Sequence, residues 1–398
     1  MTRPIAILHI HGRMGRGGAE LRNIDRRRYR FDFCALSPGR GELDEEIGGF
    51  GGRVYRIRAG RGDYDVVHSH VHHRSGHLLR LAAAGGVPVR IAHFRNSRDQ
   101  RCGTPARRLA RSLLSPFVER YAGRRVLCSW IDRYATDILG VSQGSLASAW
   151  SPNWRRDGRC RVVYDGLDPE RFRLAGGGDS VRRGFAIAQD APLLIHVGRT
   201  TPEKNHRRLL SIFRALCDRR PSARLLAVSR AAVTRDEKAV EEQMRRQVRK
   251  LKLAGRVIFS GERTDVPRLM RAADVLLFPS LHEGLGDVVL EACVSGTPAL
   301  CSDLPSIREI AARLPEVYCL PLCRPDTHWA ELAAAVADRR PDNSRREAAL
   351  ELFAESEFTV ERSLEVLCAI WRRSREETTL HLSMHGDRRG AKGGVAHG

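Results

Sequence analysis

DVLLFPSLHEGLGDVVLEACVSGTP, from Asp274 to Pro298, predicts a buried strand, a glycine-flanked turn and a helix in immediate succession. Val275 to Phe278 form a short apolar run, which is typical of a parallel strand that is covered on both faces. Val288 to Val294 carry the apolar pattern of the following helix. A strand that passes through a tight turn into a helix is the repeating unit of an α/β protein. This stretch therefore predicts a parallel sheet flanked by helices.

Two glutamates, Glu283 and Glu291, lie on either side of that turn. The first backbone N–H groups of a helix have no partner within the helix, and the helix dipole adds partial positive charge there. The turn therefore predicts a phosphate site built on the amides of Gly284, Leu285, Gly286 and Asp287. Carboxylates beside it can accept hydrogen bonds from sugar hydroxyls, so the pattern favours a nucleotide sugar. The ordinary alternative makes Glu283 a helix cap and Glu291 an exposed helical residue.

A second group of residues lies upstream, in APLLIHVGRTTPEKNHRRLLSIFRAL (191–216). A buried strand, Leu193 to Val197, leads through Gly198 and Arg199 into a helix that is predicted to start near Pro202 and to carry Lys204. A planar arginine fork and a mobile lysine can converge on one diphosphate. A lysine in a first helical turn opposes the helix dipole, and this is easier to understand if an anion binds there. The alternative is two surface cations in an arginine-rich chain.

The strand pattern repeats along the chain, which is long enough at 398 residues for two domains. The fold class predicted is α/β, with a doubly wound arrangement in each of two units. The glycine-rich stretch Leu174 to Ser180 is the predicted linker. The predicted strands are Ile5–Ile10, Asp65–His68, Val89–Ala92, Ile138–Val141, Leu193–Val197, Arg224–Val228, Val257–Phe259, Val275–Phe278 and Pro298–Cys301.

Seven segments in a fixed order carry a resemblance to a known family. The chain resembles the family-4 retaining glycosyltransferases, over about residues 4 to 372, and within them the bacterial enzymes of exopolysaccharide and surface-glycan assembly. The segments are GRMGRGGAE (12–20), YDVVHSHVHHRSG (64–76), PVRIAHFRNS (88–97), ILGVSQ (138–143), VVYDGLDPERF (162–172), GRTTPEKNHRRLL (198–210) and DVLLFPS to SIREI (274–310).

The resemblance implies the GT-B fold, two facing Rossmann-like domains with the donor site in the cleft between them. Residues 1–175 would form the N-terminal acceptor domain and 176–357 the C-terminal domain that binds the nucleotide sugar. Residues 358–374 would be a helix that returns to the N-terminal domain, and 375–398, polar and glycine-rich, are predicted to be a disordered tail.

The resemblance also implies roles for individual residues. The catalytic group would be Arg199, Lys204, Glu283 and His93, where His93 lies near the donor sugar. The donor would be bound by Gly198, Gly284, Leu285, Gly286, Asp287, Glu291 and Arg263, with Arg263 in the turn that contacts the base and Glu291 on the ribose. The acceptor and cleft loops would use Gly15, Gly17, Gly18, His70 and Ser142.

No cofactor is expected, because the nucleotide diphospho-sugar, a UDP- or GDP-sugar, is itself the co-substrate. HSHVHH (68–73) could be interpreted as a metal site, but no carboxylate or cysteine is spaced to complete it and the family site needs no metal. Cys319 and Cys323 are close, yet free buried thiols are the usual condition for scattered cysteines. The sequence therefore predicts no metal ligand.

Net charge is +21, with basic clusters spread along the chain. Such a field attracts polyanions, but no nucleic-acid module or aromatic stacking array accompanies the clusters, so no nucleic-acid partner is expected. Beyond a solvated basic surface, the charge favours peripheral contact with an anionic membrane, which would suit a lipid-linked acceptor. No segment has the length of a transmembrane helix and no signal peptide precedes the first strand. A cytoplasmic protein is predicted, with peripheral attachment to the inner face of the cell membrane as an open alternative.

Two other functions stay open. A helix that follows GGAE in the family is shorter in this sequence, which favours a non-catalytic relative that binds a nucleotide sugar. A nucleotide-sugar epimerase of the same fold fits the paired cations and glutamates less well. Glu283→Ala and Lys204→Ala are expected to abolish transfer without unfolding, on the premise that both residues lie on exposed turns. The sugar, the base, the acceptor, the linkage and the oligomeric state are not encoded in any recognisable pattern.

Overall fold

The computed structural model describes residues 3–11, 22–36, 44–56, 64–96, 117–173 and 178–386, with the backbone alone for 117–122 and 375–386. Gly15, Gly17 and Gly18, most of the shortened first helix and part of the predicted linker lie outside these residues. The roles predicted for the three glycines stay predictions.

Two sheets organise the described chain, and all their strand pairs are parallel, which confirms the α/β prediction. The first sheet has the strand order β3-β2-β1-β4-β5-β6-β7 and the second the order β10-β9-β8-β11-β12-β13. The strands are β1 Ile5–His11, β2 Tyr29–Ala35, β3 Val54–Arg56, β4 Val66–Ser69, β5 Val89–Phe94, β6 Asp137–Gly140, β7 Cys160–Val162, β8 Leu193–Val197, β9 Arg224–Val228, β10 Val257–Gly261, β11 Val275–Phe278, β12 Ala299–Ser302 and β13 Val317–Leu320.

Helices connect the strands and cover both sheets. The α-helices of the described residues are α1 Asp44–Gly49, α2 Ser75–Ala84, α3 Phe117–Tyr134, α4 Gln143–Ala149, α5 Glu170–Arg173, α6 Asp179–Gly184, α7 His206–Arg219, α8 Arg235–Lys250, α9 Val266–Ala272, α10 Asp287–Val294, α11 Pro305–Ala311, α12 Asp326–Ala337, α13 Asn343–Ala354 and α14 Val360–Gly386. Short 3-10 turns occur at His72–Arg74, Trp154–Arg156 and Pro202–Lys204.

In each sheet an aspartate just before one strand accepts a hydrogen bond from the backbone of the neighbouring strand. Asp65 precedes β4 and accepts the amide N–H of Ala6 in β1 at 2.8 Å. Asp274 precedes β11 and accepts the amide N–H of Leu193 in β8 at 2.7 Å. In both units the carboxylate satisfies a backbone donor at the start of the first strand, where the sheet ladder leaves it unpaired. The repetition reflects the shared design of the two units.

Asp274 also neutralises two arginines, of which Arg182 is buried and Arg340 is 41% exposed. The Asp274 side chain is 1% exposed, lies 2.9 Å from Nη2 of Arg182 and 2.8 Å from Nε of Arg340. Removing one partner of a buried charge network leaves the others uncompensated, which typically costs about 3–5 kcal/mol. We therefore expect Asp274→Ala to lower the free energy of unfolding of the C-terminal unit by about that amount, as measured by urea denaturation.

A matched control is the exposed pair between Asp338 and Arg220, whose side chains are 53% and 41% exposed. Exposed ion pairs contribute about 0–1 kcal/mol, so Asp338→Ala should change stability little. Equal effects of the two substitutions would contradict the role assigned to the buried network.

The last helix, α14, packs on the first sheet. Its residues Leu367, Ile370 and Trp371 are buried in the same apolar cluster as Ile7 of β1 and Phe31 of β2. Just before it, Leu167 pairs with the 358–360 segment, since its amide donates to the carbonyl of Phe358 at 2.9 Å. The helix continues to Gly386, so the predicted disorder of 375–398 is wrong for residues 375–386. The remainder of that tail lies outside the described residues.

The helix that was predicted to start near Pro202 starts later in the structure. Pro202–Lys204 form only a 3-10 turn, and α7 begins at His206. Asn205 separates them in the left-handed conformation, with φ of 52°. Its side-chain amide donates to the carbonyl of Pro279 at 3.0 Å. This contact holds the turn to the end of β11, and a continuous helix could not make it.

Candidate functional site

Lys204 and Glu283 form the centre of the candidate site. The 3-10 turn is tied to the loop after β11 because the amide of Leu281 donates to the carbonyl of Glu203 at 2.8 Å. This brings Nζ of Lys204 to 2.7 Å from Oε1 of Glu283, with side-chain exposures of 15% and 12%. The ammonium also lies 4.7 Å from the centroid of the Phe278 ring. The pair is therefore largely buried, and the premise that both residues lie on exposed turns is wrong.

Gly198 packs against the stem of Lys204. A Cβ built on Gly198 would lie 3.4 Å from the Cγ, Cδ and Cε atoms of the lysine. The next residue, Arg199, is 58% exposed, and its Nη2 lies 3.8 Å from Oε1 of Glu203. The structure thus brings Gly198, Lys204 and Glu283 together, and places the guanidinium of Arg199 toward solvent at the edge of the same turn.

Gly284 lies at a contact between the two units. A Cβ on this residue would lie 2.2 Å from the carbonyl oxygen of Arg95, in the loop that follows β5. Its own carbonyl accepts a 2.5 Å hydrogen bond from Oγ of Ser142, just before α4. The donor-binding role predicted for Gly284 stays a prediction. The structure shows that the backbone of the other unit approaches this glycine closely.

The amino end of α10 completes the turn. Gly286 occupies the N-cap position with φ of 105°, a conformation that L side chains rarely adopt. Leu285 is buried, Asp287 is exposed in the first turn, and Glu291 follows one turn later, half-buried. The helix therefore begins one residue earlier than predicted, and its positive end faces the loop that carries Glu283.

Arg263 lies in a turn that is held by its own ion pair. Its Nε and Nη2 donate to the two carboxylate oxygens of Asp265 at 2.8 and 2.7 Å. The pairing raises the pKa of Arg263 and lowers the pKa of Asp265, chiefly through these hydrogen bonds. Its predicted contact with the base stays a prediction.

His93 and His70 lie in a histidine cluster at the carboxyl ends of β1, β4 and β5. His93 is 3% exposed, and its Nδ1 lies 3.1 Å from Nε2 of His68. His70 contacts His9, with 3.2 Å between its Nε2 and Nδ1 of His9. The metal interpretation of HSHVHH had been rejected for lack of partners. The structure supplies partners from neighbouring strands, His9 and His11 of β1 and His93 of β5, as two groups of three ring nitrogens.

Two other histidines, His196 and His206, are buried beneath Lys204. Burial is the main reason why their pKa values fall from 6.5 to about 3 and about 4. Both rings stay neutral in the folded protein at pH 5, whereas the unfolded chain takes up protons below its ordinary pKa of 6.5. Stability contributed by neutral burial is therefore present above pH 6.5 and is lost as pH falls toward 4.

The slope of this loss can be tested with His206→Gln. Each proton taken up on unfolding changes stability by about 1.4 kcal/mol per pH unit, so the variant should lose stability less steeply than the wild type between pH 6.5 and 4.5. Urea denaturation at several pH values measures the slope, with His328→Gln, a 49% exposed position, as the control. Parallel curves for wild type and His206→Gln would contradict the assignment.

Sequence reasoning missed a contact between the units and an ion pair within the N-terminal unit. Glu309 of α11 accepts the amides of Gln143 and Gly144 at 2.9 and 2.8 Å, at the start of α4. Burial raises the pKa of this carboxyl. Asp165 pairs with Nη2 of Arg95 at 2.6 Å. The Asp165 position was noticeable in VVYDGLDPERF, but Glu309 gave no signal because its partners lie more than 160 residues away.

Comparison with known proteins agrees with this architecture. Residues 179–349 match the family model described as "Glycosyl transferases group 1". EpsF of Bacillus subtilis (strain 168), provisionally named a glycosyltransferase, is 29% identical and aligns over 93% of this chain and 97% of its own length. CapH of Staphylococcus aureus, a glycosyltransferase of capsular polysaccharide biosynthesis, is 27% identical over 72% of this chain and 78% of its own.

Solved structures show the same fold. HepE of Anabaena, in complex with UDP, superposes with a TM-score of 0.69 at 17% identity and covers 94% of this chain and 99% of its own. WaaG, a glycosyltransferase involved in lipopolysaccharide biosynthesis, gives a TM-score of 0.58 at 16% identity, with coverage of 92% and 98%. The two parallel sheets and the matched domain thus define a glycosyltransferase of the GT-B fold. Among the described residues, no helix has the length and apolar character needed to cross a membrane.

Proposed function

We propose that this protein transfers a sugar from a nucleotide diphospho-sugar to a glycan or lipid-linked acceptor during assembly of a surface polysaccharide. CapH is named for capsular polysaccharide biosynthesis and LpsB of Rhizobium meliloti for lipopolysaccharide core biosynthesis, and both names support the pathway class. HepE of Anabaena was solved with UDP and with UDP-glucose. A UDP-sugar is therefore the donor that we propose first.

The observation that carries the proposal is the Lys204–Glu283 pair beside the amino end of α10. A diphosphate placed at that helix end would meet the helix dipole and the lysine ammonium together. The diphosphate would compete with Glu283 for the ammonium of Lys204, because a phosphate oxygen is a strong acceptor of charge-assisted hydrogen bonds. Glu283 would then be available to accept hydrogen bonds from donor-sugar hydroxyls.

Departure of the nucleoside diphosphate is the step that these residues would promote. Cleavage of the bond between the anomeric carbon and the phosphate oxygen builds negative charge on the terminal phosphate. Lys204, the nearby Arg199 and the amides at the turn would stabilise this charge from fixed positions. The departing phosphate oxygen would take the proton of the acceptor hydroxyl as the new glycosidic bond forms.

We further propose that the anomeric configuration is retained and that no divalent ion bridges the diphosphate, as in the family-4 enzymes that the sequence resembles. Leaving and attacking oxygens would then use the same face of the sugar, which needs no protein nucleophile. Lysine, arginine and helix amides would supply the positive charge that a metal supplies in other transferases. Peripheral contact of the basic surface with an anionic membrane, on the cytoplasmic side, would bring a lipid-linked acceptor to the site.

The experiment is a donor panel with the purified full chain. UDP-, GDP-, ADP- and dTDP-sugars are incubated with and without a polyprenyl-diphosphate-linked acceptor in EDTA, and nucleoside diphosphate release is measured. We expect turnover with one nucleotide class, and NMR of the product should show the donor's anomeric configuration. Lys204→Met serves as the inactive control.

Other outcomes would overturn specific parts of the proposal. Binding of a donor without release of nucleoside diphosphate would favour a non-catalytic nucleotide-sugar-binding protein. Conversion of the donor into a different sugar, without transfer, would favour an epimerase. Turnover that appears only after Mg²⁺ is added would overturn the proposed metal independence, and an inverted product would overturn retention.

A further inference from the structure

The histidine cluster defined above, with ring nitrogens from His9, His11, His68, His70 and His93, lies on one face of the first sheet. In the parallel register His9 is opposite His68, and His68 is opposite Ile91. Side chains two residues apart along a strand point to the same face. His11, His70 and His93 therefore follow one step further along three adjacent strands. The result is a compact group of imidazoles, with ring centroids of His68 and His70 only 4.2 Å apart.

The nitrogen positions fit a metal ion. Each of His68, His70 and His93 offers one ring nitrogen, and these three nitrogens lie within 4.8 Å of one another. The same is true of His9, His11 and His70. Two imidazoles that bind one Zn²⁺ at about 2.0–2.1 Å have their nitrogens about 3.4 Å apart in tetrahedral geometry. The His68–His93 contact of 3.1 Å is already close to that value. Small side-chain rotations would complete the triangle.

The protonation state does not oppose binding. Neutral imidazole is the form that binds metals, and an imidazole with the ordinary pKa near 6.5 is mostly neutral at pH 7.

The surroundings suit a neutral-ligand site. The ring of Trp371 in α14 lies 6.0 Å from the His9 ring and 6.3 Å from the His68 ring, and Phe33 stacks on His9 at 5.2 Å. An apolar shell limits water access to an ion. The nearby cation Arg95 opposes a further positive charge, but Asp165 pairs with it at 2.6 Å.

We propose that His68, His70 and His93 bind one divalent transition-metal ion, Zn²⁺, which joins the ends of β4 and β5 beneath the last helix. Imidazole is a ligand that Zn²⁺ accepts in sets of three, with a fourth position left for water or another group. The site lies in the N-terminal unit and would use His70 and His93 as ligands in place of the cleft and donor-sugar roles that the family resemblance gives them. Bound ion would stabilise the folded chain by mass action.

The test uses the full chain without an affinity tag, treated with chelator and then titrated with Zn²⁺ against a chromophoric competitor. We expect one ion per chain with a Kd below about 1 μM, a rise in Tm with Zn²⁺, and visible absorption typical of tetrahedral Co²⁺ when Co²⁺ replaces it. Loss of a second-shell partner already costs about 10–100-fold in affinity. His70→Ala and His93→Gln should each weaken binding by about a hundredfold or more.

Two matched variants complete the design. His328→Ala, on the surface of the other unit, and His11→Ala, which belongs only to the second group of three, should bind Zn²⁺ within about threefold of the wild type. Circular dichroism verifies that each variant is folded, and His93→Gln carries the test if His70→Ala is not. A wild-type Kd above about 1 μM, or full binding by folded His93→Gln, would overturn the proposal. Loss of binding in His11→Ala alone would also overturn it, in favour of the other group.

Discussion

Lys204→Met is expected to lower kcat/KM for sugar transfer by about a hundredfold or more, the scale seen when one preorganised donor to a developing anion is removed. Methionine keeps the unbranched stem that packs over Gly198, so the turn itself should persist. The substitution leaves the carboxylate of Glu283 largely buried without its 2.7 Å partner. Some loss of stability should therefore accompany the loss of activity.

The double variant Lys204→Met/Glu283→Gln separates the two effects. It removes both charges, so stability should return toward the wild-type value while transfer stays low. Initial rates at several donor concentrations, with urea denaturation of the same preparations, give both quantities. Lys238→Met, at an exposed position of α8, is the control. Near-normal turnover in the folded single variant would show that Lys204 does not act on the leaving group.

Gly284→Ala is expected to impair transfer through the fit of the two units. The added Cβ would lie 2.2 Å from the carbonyl oxygen and 3.0 Å from the carbonyl carbon of Arg95, and backbone atoms cannot rotate away as a flexible side chain can. The units must separate locally, which also weakens the hydrogen bond from Ser142 to the Gly284 carbonyl. A displacement of about 1 Å can reduce a rate about a hundredfold. We expect kcat to fall by about that factor.

The measurement combines steady-state kinetics with small-angle scattering, which reports the separation of the units. Gly184→Ala is the control, since a Cβ at that position meets no atom within 4 Å. If Gly284→Ala turned over donor at the wild-type rate, tight closure at this contact would not be needed for transfer.

The central strands of both sheets were predictable because they are continuous apolar runs. Leu193–Val197, Arg224–Val228 and Val275–Phe278 have the predicted bounds. Three of the four edge strands of the described sheets were missed, since β3, β7 and β13 have only three or four residues and little periodicity, whereas the edge strand β10 was predicted. β2 was missed because charged residues interrupt its start in RRRYRFDF. Local sequence thus specifies strands that are buried on both faces better than strands at an edge.

Within the candidate site, the residues were predictable but their pairing was not. The turn that carries Glu283 and the cation at Lys204 were both visible, yet their contact depends on the adjacency of β8 and β11 and on the left-handed Asn205. The histidine cluster was missed for the same kind of reason. HSHVHH contains only the histidines at the end of β4. Those at the ends of β1 and β5 become neighbours because these strands lie on either side of β4 in the sheet. Side chains from separate strands meet only once the strand order is known.

Because Trp371 is buried in the core of the first sheet, its late position in the chain affects the order in which the two units fold during synthesis. The second sheet is built from one uninterrupted segment, 193–320, so its strands can all pair soon after that segment leaves the ribosome. The first sheet begins earlier but keeps an uncovered apolar face until Leu367, Ile370 and Trp371 emerge. Domains usually complete folding in the order of synthesis. Here the N-terminal unit is completed last, so a nascent chain arrested before residue 360 would expose the apolar surface that chaperones recognise.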